Sequence, residues 1–333
     1  MSDMPTGRPM RVCMLGCGRV AETHAGATAA LGGLIVRSFA SRSREKAEAL
    51  NRKHRGAGAF GSYAEALASE AVDVVAVLTP PSSHLEWVLA AIEAGKDVVV
   101  EKPPVVRSSQ FDAIQRACMA TGRLVYVAEN YFYKPLLAAV RGTIHSGAIG
   151  EPLFVQLNAV KRQRTGNWRD EEAMAGGGAL LEGGIHWVNF AGGLGYTIRS
   201  VKAVRPGAPS GLERSMALLF DYVDGPAGVL LYSWEVASPL KGLRQSRIYG
   251  REGAMTFETN GLIAVTSGRK WKVIFPGVRD IQGYKAMWTD FVAAWRLRSE
   301  PRMTLKRARR DIELVEEAYR SAGVELPDIG VTS

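Results

Sequence analysis

The sequence predicts an α/β chain of two domains, a parallel sheet wrapped in helices followed by a largely antiparallel sheet. Three observations predict it. Through the first 130 residues, apolar runs of strand length alternate with helical segments, the pattern of parallel strands covered on both faces. A glycine-rich turn, Gly16-Cys17-Gly18-Arg19-Val20-Ala21, joins the first strand to the first helix. Beyond about residue 130 the apolar runs lengthen and helices become sparse. The length of 333 residues suits two domains better than one.

The elements follow in order. "MRVCML" (10–15) is a strand, and "VAETHAGATAAL" (20–31) an alanine-rich helix. "LIVRSFA" (34–40) is the second strand, followed by the charged helix "SREKAEALNRKH" (43–54). "SYAEALAS" (62–69) is a short helix before the strand "VDVVAVL" (72–78). "SHLEWVLAAIEAG" (83–95) is a helix stopped by glycine, and "DVVVE" (97–101) the next strand. The helix "SSQFDAIQRACMATG" (108–122) and the strand "LVYVAE" (124–129) complete the array. In the second half, "EPLFVQLNAV" (151–160), "IRSVKAV" (198–204), "RSMALLFDY" (214–222) and "AGVLLYSWEV" (227–236) read as longer strands. Asp224-Gly225 joins the last two as a hairpin, and "RIYGREGAMTFE" (247–258) reads as another. One helix is expected inside this half, at 179–193, and two more, at about 280–298 and 304–323, close the chain. The domains are therefore 9–130 and 131–330, with the final helices able to pack on either.

Composition narrows the class. No apolar run approaches the about 20 residues that span a bilayer. Residues 1–9, "MSDMPTGRP", lack the apolar core of a signal peptide and read as a loose tail. The three cysteines, Cys13, Cys17 and Cys118, form no CxxC pair and have no histidine cluster beside them. A disulfide framework or metal site is not expected, and a reducing cytoplasm fits. The net charge of +9 is spread along the chain. Its densest run, "LKRARRD" (305–311), has helical spacing and precedes Glu313, Glu316 and Glu317. That is a solvated helix face rather than a nucleic-acid patch.

The glycine-rich turn has the context a dinucleotide fingerprint requires: a strand before it, a helix after it, and an alternating array beyond. Gly16 permits the tight turn, Gly18 lets a pyrophosphate approach the backbone, and Ala21 lets the helix pack closely on the strand. The helix N-terminus offers free N–H groups and partial positive charge. Arg19 and Val20 complete the loop. An NAD site usually carries Asp or Glu at the end of the second strand. Here Ser41, Arg42, Ser43 and Arg44 stand there. A hydroxyl beside guanidinium groups suits a 2′-phosphate, so NADP(H) is preferred, with NAD(H) as the alternative.

Ligands of open α/β sheets sit beyond the carboxyl ends of the strands. Leu78, Thr79, Pro80 and His84, in "VLTPPSSH", and Glu101-Lys102, in "VVVEKPP", both stand there. They are expected to face the cofactor. Lys102 can donate hydrogen bonds to a substrate oxygen and stabilise developing negative charge. Pro103 and Pro104 keep it out of the following helix. Glu101 either orients Lys102 or holds the cofactor ribose. By itself this would read as a solvated charged pair. "GGGALLEGGIHWVNF" (176–190) tips the balance, because Glu182 and His186 lie four apart on an otherwise apolar helix. A carboxylate and an imidazole in such surroundings need partners, and histidine titrates in the range useful for proton transfer.

Taken in order, GxGxxA, "TPPSSH", "EKP" and "AGGGALLEGGIH" resemble the glucose–fructose oxidoreductase, inositol dehydrogenase and rhizopine-catabolism family (Gfo/Idh/MocA) over about residues 9–260. The resemblance implies a Rossmann domain followed by an α+β domain with a large open sheet used for oligomerisation. It implies NAD(P)-dependent redox chemistry on sugars, cyclitols or their keto forms, with a small-molecule substrate. A sheet with an apolar face beyond the first domain needs cover, so a homodimer or homotetramer through the 151–275 sheet is expected. The family lysine matches Lys102 and the family histidine matches His186. Glu182 replaces the family's aspartate, and Asn189 stands where an acid is common. "VAENYFYKP" (127–135) and "TGNWRDEEAM" (165–174) match segments that line the substrate site, which makes Asn130, Tyr131, Tyr133, Lys134, Trp168 and Arg169 candidates. Reduction would then deliver hydride to a carbonyl carbon, with His186 as proton donor and Lys102 stabilising the oxygen. Two other readings stand beside this one. The first is reduction of a C=N or C=C bond in a non-sugar metabolite, suggested by Glu182 and the aromatic wall. The second is a non-catalytic cofactor sensor, which would not need both Lys102 and His186.

Overall fold

The computed structural model describes residues 7–207, 211–237, 244–268 and 271–326. Most of the tail expected at residues 1–9, and the last residues of the expected second domain, lie outside these. The chain forms two compact units, one of residues up to Glu129 with Tyr284–Arg309, the other of Asn130–Gly283 with Arg310 onward.

The first unit holds a six-stranded parallel sheet in the order β3-β2-β1-β4-β5-β6. Its strands are β1 (Met10–Leu15), β2 (Ile35–Ala40), β3 (Gly58–Phe60), β4 (Val74–Val77), β5 (Asp97–Glu101) and β6 (Val125–Ala128). This is the doubly wound order that binds dinucleotides where the winding reverses, between β1 and β4. β4, β5 and β6 are buried along their whole length, so they read as continuous apolar runs. The helices are α1 (Arg19–Ala29), α2 (Arg44–His54), α3 (Tyr63–Ala68), α4 (His84–Glu93) and α5 (Phe111–Thr121). Ser43 caps α2 by accepting from the Lys46 N–H, and Gly122, at φ +67°, ends α5 in the left-handed region. The three-residue β3 is too short to show as an apolar run in the sequence.

The second unit holds an eight-stranded sheet in the order β14-β13-β12-β11-β7-β10-β9-β8. Its strands are β7 (Pro152–Val160), β8 (Ile198–Val204), β9 (Ser215–Tyr222), β10 (Ala227–Ser233), β11 (Gln245–Gly250), β12 (Gly253–Glu258), β13 (Ala264–Ser267) and β14 (Lys272–Ile274). Every pairing is antiparallel except β7 with β10. The two expected hairpins form as β9–β10 and β11–β12. β13 and β14 extend the edge beyond the expected strands.

Its helices include one the sequence reading lacked, α6 (Pro135–His145). Pro135 sits at the first helical position, where its missing N–H costs nothing, and Leu136, Leu137 and Val140 form the buried face. The short α7 (Glu172–Ala175) is followed by a single π turn (Leu180–Gly184) that runs into α8 (Ile185–Gly192). The helix expected at 179–193 is therefore wider-wound in its first turn. Of the closing helices, α9 (Tyr284–Leu297) belongs to the first unit, and most of α10 (Leu305–Ser321) to the second. Among the described residues, no helix is long and apolar enough to cross a membrane, and no cluster of three metal-ligating side chains occurs.

Candidate active site

In the first unit, the β1–α1 turn is built around two glycines with different reasons. Gly16 has φ +98°, and a Cβ there would stand 2.9 Å from the Leu78 carbonyl oxygen. The turn thus presses against the end of β4, and only glycine fits. Gly18 caps α1 with no side chain bonded to the helix end, and a Cβ there would meet nothing within 4 Å. Gly18 and Arg19, where α1 begins, are both exposed. A pyrophosphate fits such a cradle. Val20 is half-buried and Ala21 fully buried. Cys17 lies 3.5 Å from the Ala40 carbonyl oxygen, and burial pushes its thiol up to about 11, so it is not a reactive thiolate.

At the end of β2, the buried Ser41 accepts from the Ser43 N–H (3.2 Å). Arg42 is exposed and its charge lowers the pKa of Tyr63, which burial otherwise raises. Arg44 pairs with Glu65 at 3.0 Å. Its guanidinium therefore already has an anion, unlike the role expected of it. Lys46, in the first turn of α2, acts electrostatically on Cys17 and adds a cation that sequence reasoning missed.

Beyond β4 and β5, the predicted residues form a backbone staple. The buried His84 sets Nδ1 2.7 Å from the Pro103 carbonyl and Nε2 2.8 Å from the Thr79 carbonyl. Burial lowers its pKa. Its ring thus ties the two strand ends together, which holds in place the Thr79–Pro80 turn expected to face the cofactor. Thr79 also accepts from the Ser83 hydroxyl (2.8 Å), and Pro80 precedes that short turn. Glu101 is buried, with one oxygen accepting from the Lys102 backbone N–H (3.0 Å) and the other 2.8 Å from His24 Nε2. The Trp288 indole N–H donates to His24 Nδ1 at 3.0 Å. That donor places the ring proton on Nε2, so His24 gives a hydrogen bond to the Glu101 carboxylate. Lys102 itself is half-buried.

In the second unit, the glycine run is explained by what lies against it. Gly176, at φ +74°, ends α7, and a Cβ on Gly178 would overlap the Glu213 carboxylate. Glu182 stands in the π turn, a feature common at functional sites, with Oε1 accepting from Arg169 Nε at 2.8 Å. Trp168 lies under the Arg169 guanidinium, 4.3 Å from ring centre to carbon. His186 is half-buried and stacks on Tyr131 at 4.3 Å with an interplanar angle of 13°. The Lys134 ammonium lies 4.3 Å from the centre of the same Tyr131 ring. Tyr131, His186, Glu182, Arg169 and Trp168 are thus each placed by contacts within this unit. Two expected pocket residues, and Asn189 beside them, have inward contacts. Tyr133 is buried edge-on to Phe132, Asn130 donates to the Gln282 carbonyl (2.7 Å), and Asn189 donates to the buried Asp311 (2.6 Å).

Comparison with known proteins follows the same division. Residues 10–129 match the family model described as GFO/IDH/MocA oxidoreductase, NAD-binding Rossmann fold, and residues 137–256 match that of the GFO/IDH/MocA C-terminal domain. A D-glucoside 3-dehydrogenase of Escherichia coli is 27% identical over 57% of this chain and 55% of its own length. A dTDP-3,4-didehydro-2,6-dideoxy-alpha-D-glucose 3-reductase of Streptomyces violaceoruber is 30% identical over 76% of this chain and 74% of its own. Against the first of these, the chain spans little more than half the relative's length. Among solved structures, a levoglucosan dehydrogenase in complex with NADH and levoglucosan superposes with a TM-score of 0.84 at 20% identity, over 95% of this chain and 97% of that one. At that identity the likeness is one of fold.

Proposed function

The chain belongs to the Gfo/Idh/MocA family of NAD(P)-dependent oxidoreductases, and from that premise we propose that it moves hydride between NADP(H) and a sugar-like or cyclitol carbonyl or alcohol. The observation that carries the reading is the β1–α1 turn, with Gly16 pressed on Leu78 and the uncapped end of α1 open at Gly18. The sugar-like substrate class draws on the names of the two relatives, one a dehydrogenase and one a reductase.

Bound cofactor supplies or takes up the hydride. The chain's own residues manage the oxygen. In reduction, His186 donates the proton and Lys102 donates a hydrogen bond to the oxygen, and in oxidation the roles reverse. Tyr131 stacks on the His186 ring, and Arg169 donates to Glu182, four residues earlier in the chain. The preference for NADP(H) over NAD(H) is supported by Ser41 and the exposed Arg42, with no acid at the end of β2. Mixing the protein with NADPH and a panel of ketosugars, imines and enones, and following NADPH consumption, tests the reading. Turnover confined to ketosugars supports it. Turnover of imines or enones alone would favour the second reading, which the aromatic lining of Tyr131 and Trp168 supports.

We also infer a homodimer or homotetramer assembled through the open sheet. Phe154, Leu219, Val229 and Leu231 are all exposed on strands β7, β9 and β10. Leu219 is paired in register with Val229, so the apolar side chains lie side by side on one face. A monomer in light scattering at micromolar concentration would refute the assembly.

A further inference from the structure

We propose that Glu213, together with Tyr319, is a positioning residue for the proton-transfer helix that carries Glu182 and His186. The inference rests on the reading of His186 given above.

A helix begins with N–H groups that have no partner inside it, and a buried helix start must find partners elsewhere. Here the π turn and α8 run continuously from Leu180 to Gly192, and their start is buried. The Glu213 backbone carbonyl accepts from the Ala179 N–H at 2.8 Å. Its side-chain Oε1 accepts from the Leu180 N–H at 2.6 Å. The Tyr319 hydroxyl accepts from the Leu181 N–H at 3.1 Å and donates to Glu213 Oε1 at 2.9 Å. One glutamate and one tyrosine therefore hold three consecutive amides just ahead of Glu182.

This clamp is built rather than incidental. Glu213 and Tyr319 are both almost fully buried. Room for the carboxylate exists only because residue 178 is glycine, since a Cβ there would overlap it. Arg205 is the charged group that acts on Glu213, while burial raises the carboxyl against it. Glu213 lines both of the small cavities that flank it, of about 110 and 220 Å³, together with Gly178, Gly211 and Leu212. The π turn has a wider winding than an α-helix, so its phase depends on what fixes its first amides. Releasing them rotates the seats of Glu182 and His186, and a displacement near 1 Å costs on the order of 10²-fold in rate.

The test compares Glu213→Ala, Glu213→Gln and Tyr319→Phe with His186→Ala in the full-length protein, by kcat, NADPH dissociation constant and melting temperature. Glu213→Ala is expected to cut kcat by about tenfold or more with NADPH binding unchanged. Glu213→Gln, which still accepts from the Leu180 N–H, should recover most of that loss, and Tyr319→Phe should fall between the two. If Glu213→Ala does not fold, Tyr319→Phe, which removes one hydroxyl, decides alone. A kcat unchanged in Glu213→Ala or Tyr319→Phe while His186→Ala is slow would overturn the proposal. So would a loss of NADPH binding and kcat in step with the melting temperature and without recovery in Glu213→Gln. An unimpaired His186→Ala would instead overturn the reading of His186 on which the proposal stands.

Discussion

The carboxyl edge of the parallel sheet and the helix on the open sheet both present a charged pair, but they hold it by different means. At the sheet edge, Glu101 is fixed by a neutral imidazole and by the amide of the next residue. At the helix, Glu182 is fixed by a guanidinium, and the helix beneath it by a second carboxylate, Glu213. The first arrangement holds its buried carboxylate by an imidazole N–H and a backbone N–H. The second buries a carboxylate whose ionisation is resisted, since desolvation pushes Glu213 up to about 7. The helix is therefore the region whose support should respond to pH near neutrality.

The largest expected effect separates the two by role. His186→Ala should leave NADPH binding intact and lower kcat by about 10²–10⁴-fold, the usual worth of a positioned acid–base group. Lys102→Ala should lower kcat too and weaken NADPH binding, because Lys102 belongs to the cofactor-binding unit. The double variant should lose less than the product of the single losses if both act on one oxygen. Full multiplicativity would mean the two regions act on separate steps.

Next comes stability. Glu213 binds its proton more tightly folded, near 7, than unfolded, near 4.5. The folded state thus holds the extra proton between those values, and stability falls as pH rises through that window, by about 3 kcal/mol from this group. Urea unfolding at pH 5 and pH 8 should show the loss in the wild type and a flatter response in Glu213→Gln. Asp73, lowered to about 2 by its arginine partners although burial opposes them, acts in the opposite sense and only below about pH 4. Equal pH slopes in the two proteins would remove Glu213 as the cause. The sheet edge gives the contrast. Trp288→Phe strips the donor from His24 Nδ1 and should cost about 1–3 kcal/mol, the penalty of a buried acceptor left without its partner.

These contrasts also explain what was legible in the sequence. The β1–α1 turn, Lys102 and the Glu182–His186 pair could be read because each is a local pattern, a spacing on one strand end or one helix. Their supports could not. His24 meets Glu101 across 77 positions and Trp288 across 264, and Tyr319 meets Glu213 across 106. No periodicity links such residues, since only the folded backbone brings them together. The same limit hid the inward partners of His84, Asn130 and Asn189. A polar side chain near a motif shows its place in the chain but not its partner, and the folded structure supplies backbone carbonyls for the first two and Asp311 for the third. The π turn was hidden for another reason. "GGGALLEGG" has the composition of a loose helix start, and the winding is set by Glu213 and Tyr319 from outside.

The smallest expected effect returns to the sheet edge and divides the two arginines there. Ser41 and Arg42 replace the acid that would hold a ribose diol, so NADPH should bind more tightly than NADH. Arg42 is exposed with its charge near Tyr63, whereas Arg44 is already paired with Glu65. Glu65 in turn accepts from the Gly61 N–H at 2.8 Å, which lowers its pKa and keeps it anionic at neutral pH. Arg42→Ala should therefore erase most of the preference, and Arg44→Ala little of it. Glu65→Gln is the sharper variant. It frees the Arg44 guanidinium from a weak, exposed pair, and a freed Arg44 should raise the NADPH preference by a factor of about two to five, measured as the ratio of the two dissociation constants. The gain should vanish in the Glu65→Gln, Arg44→Ala double variant and shrink as salt screens both charges. Equal dissociation constants for NADPH and NADH in the wild type would remove the argument altogether. A preference lost in Arg44→Ala but kept in Arg42→Ala would reverse the assignment and place the phosphate on the side of α2 that Glu65 now occupies.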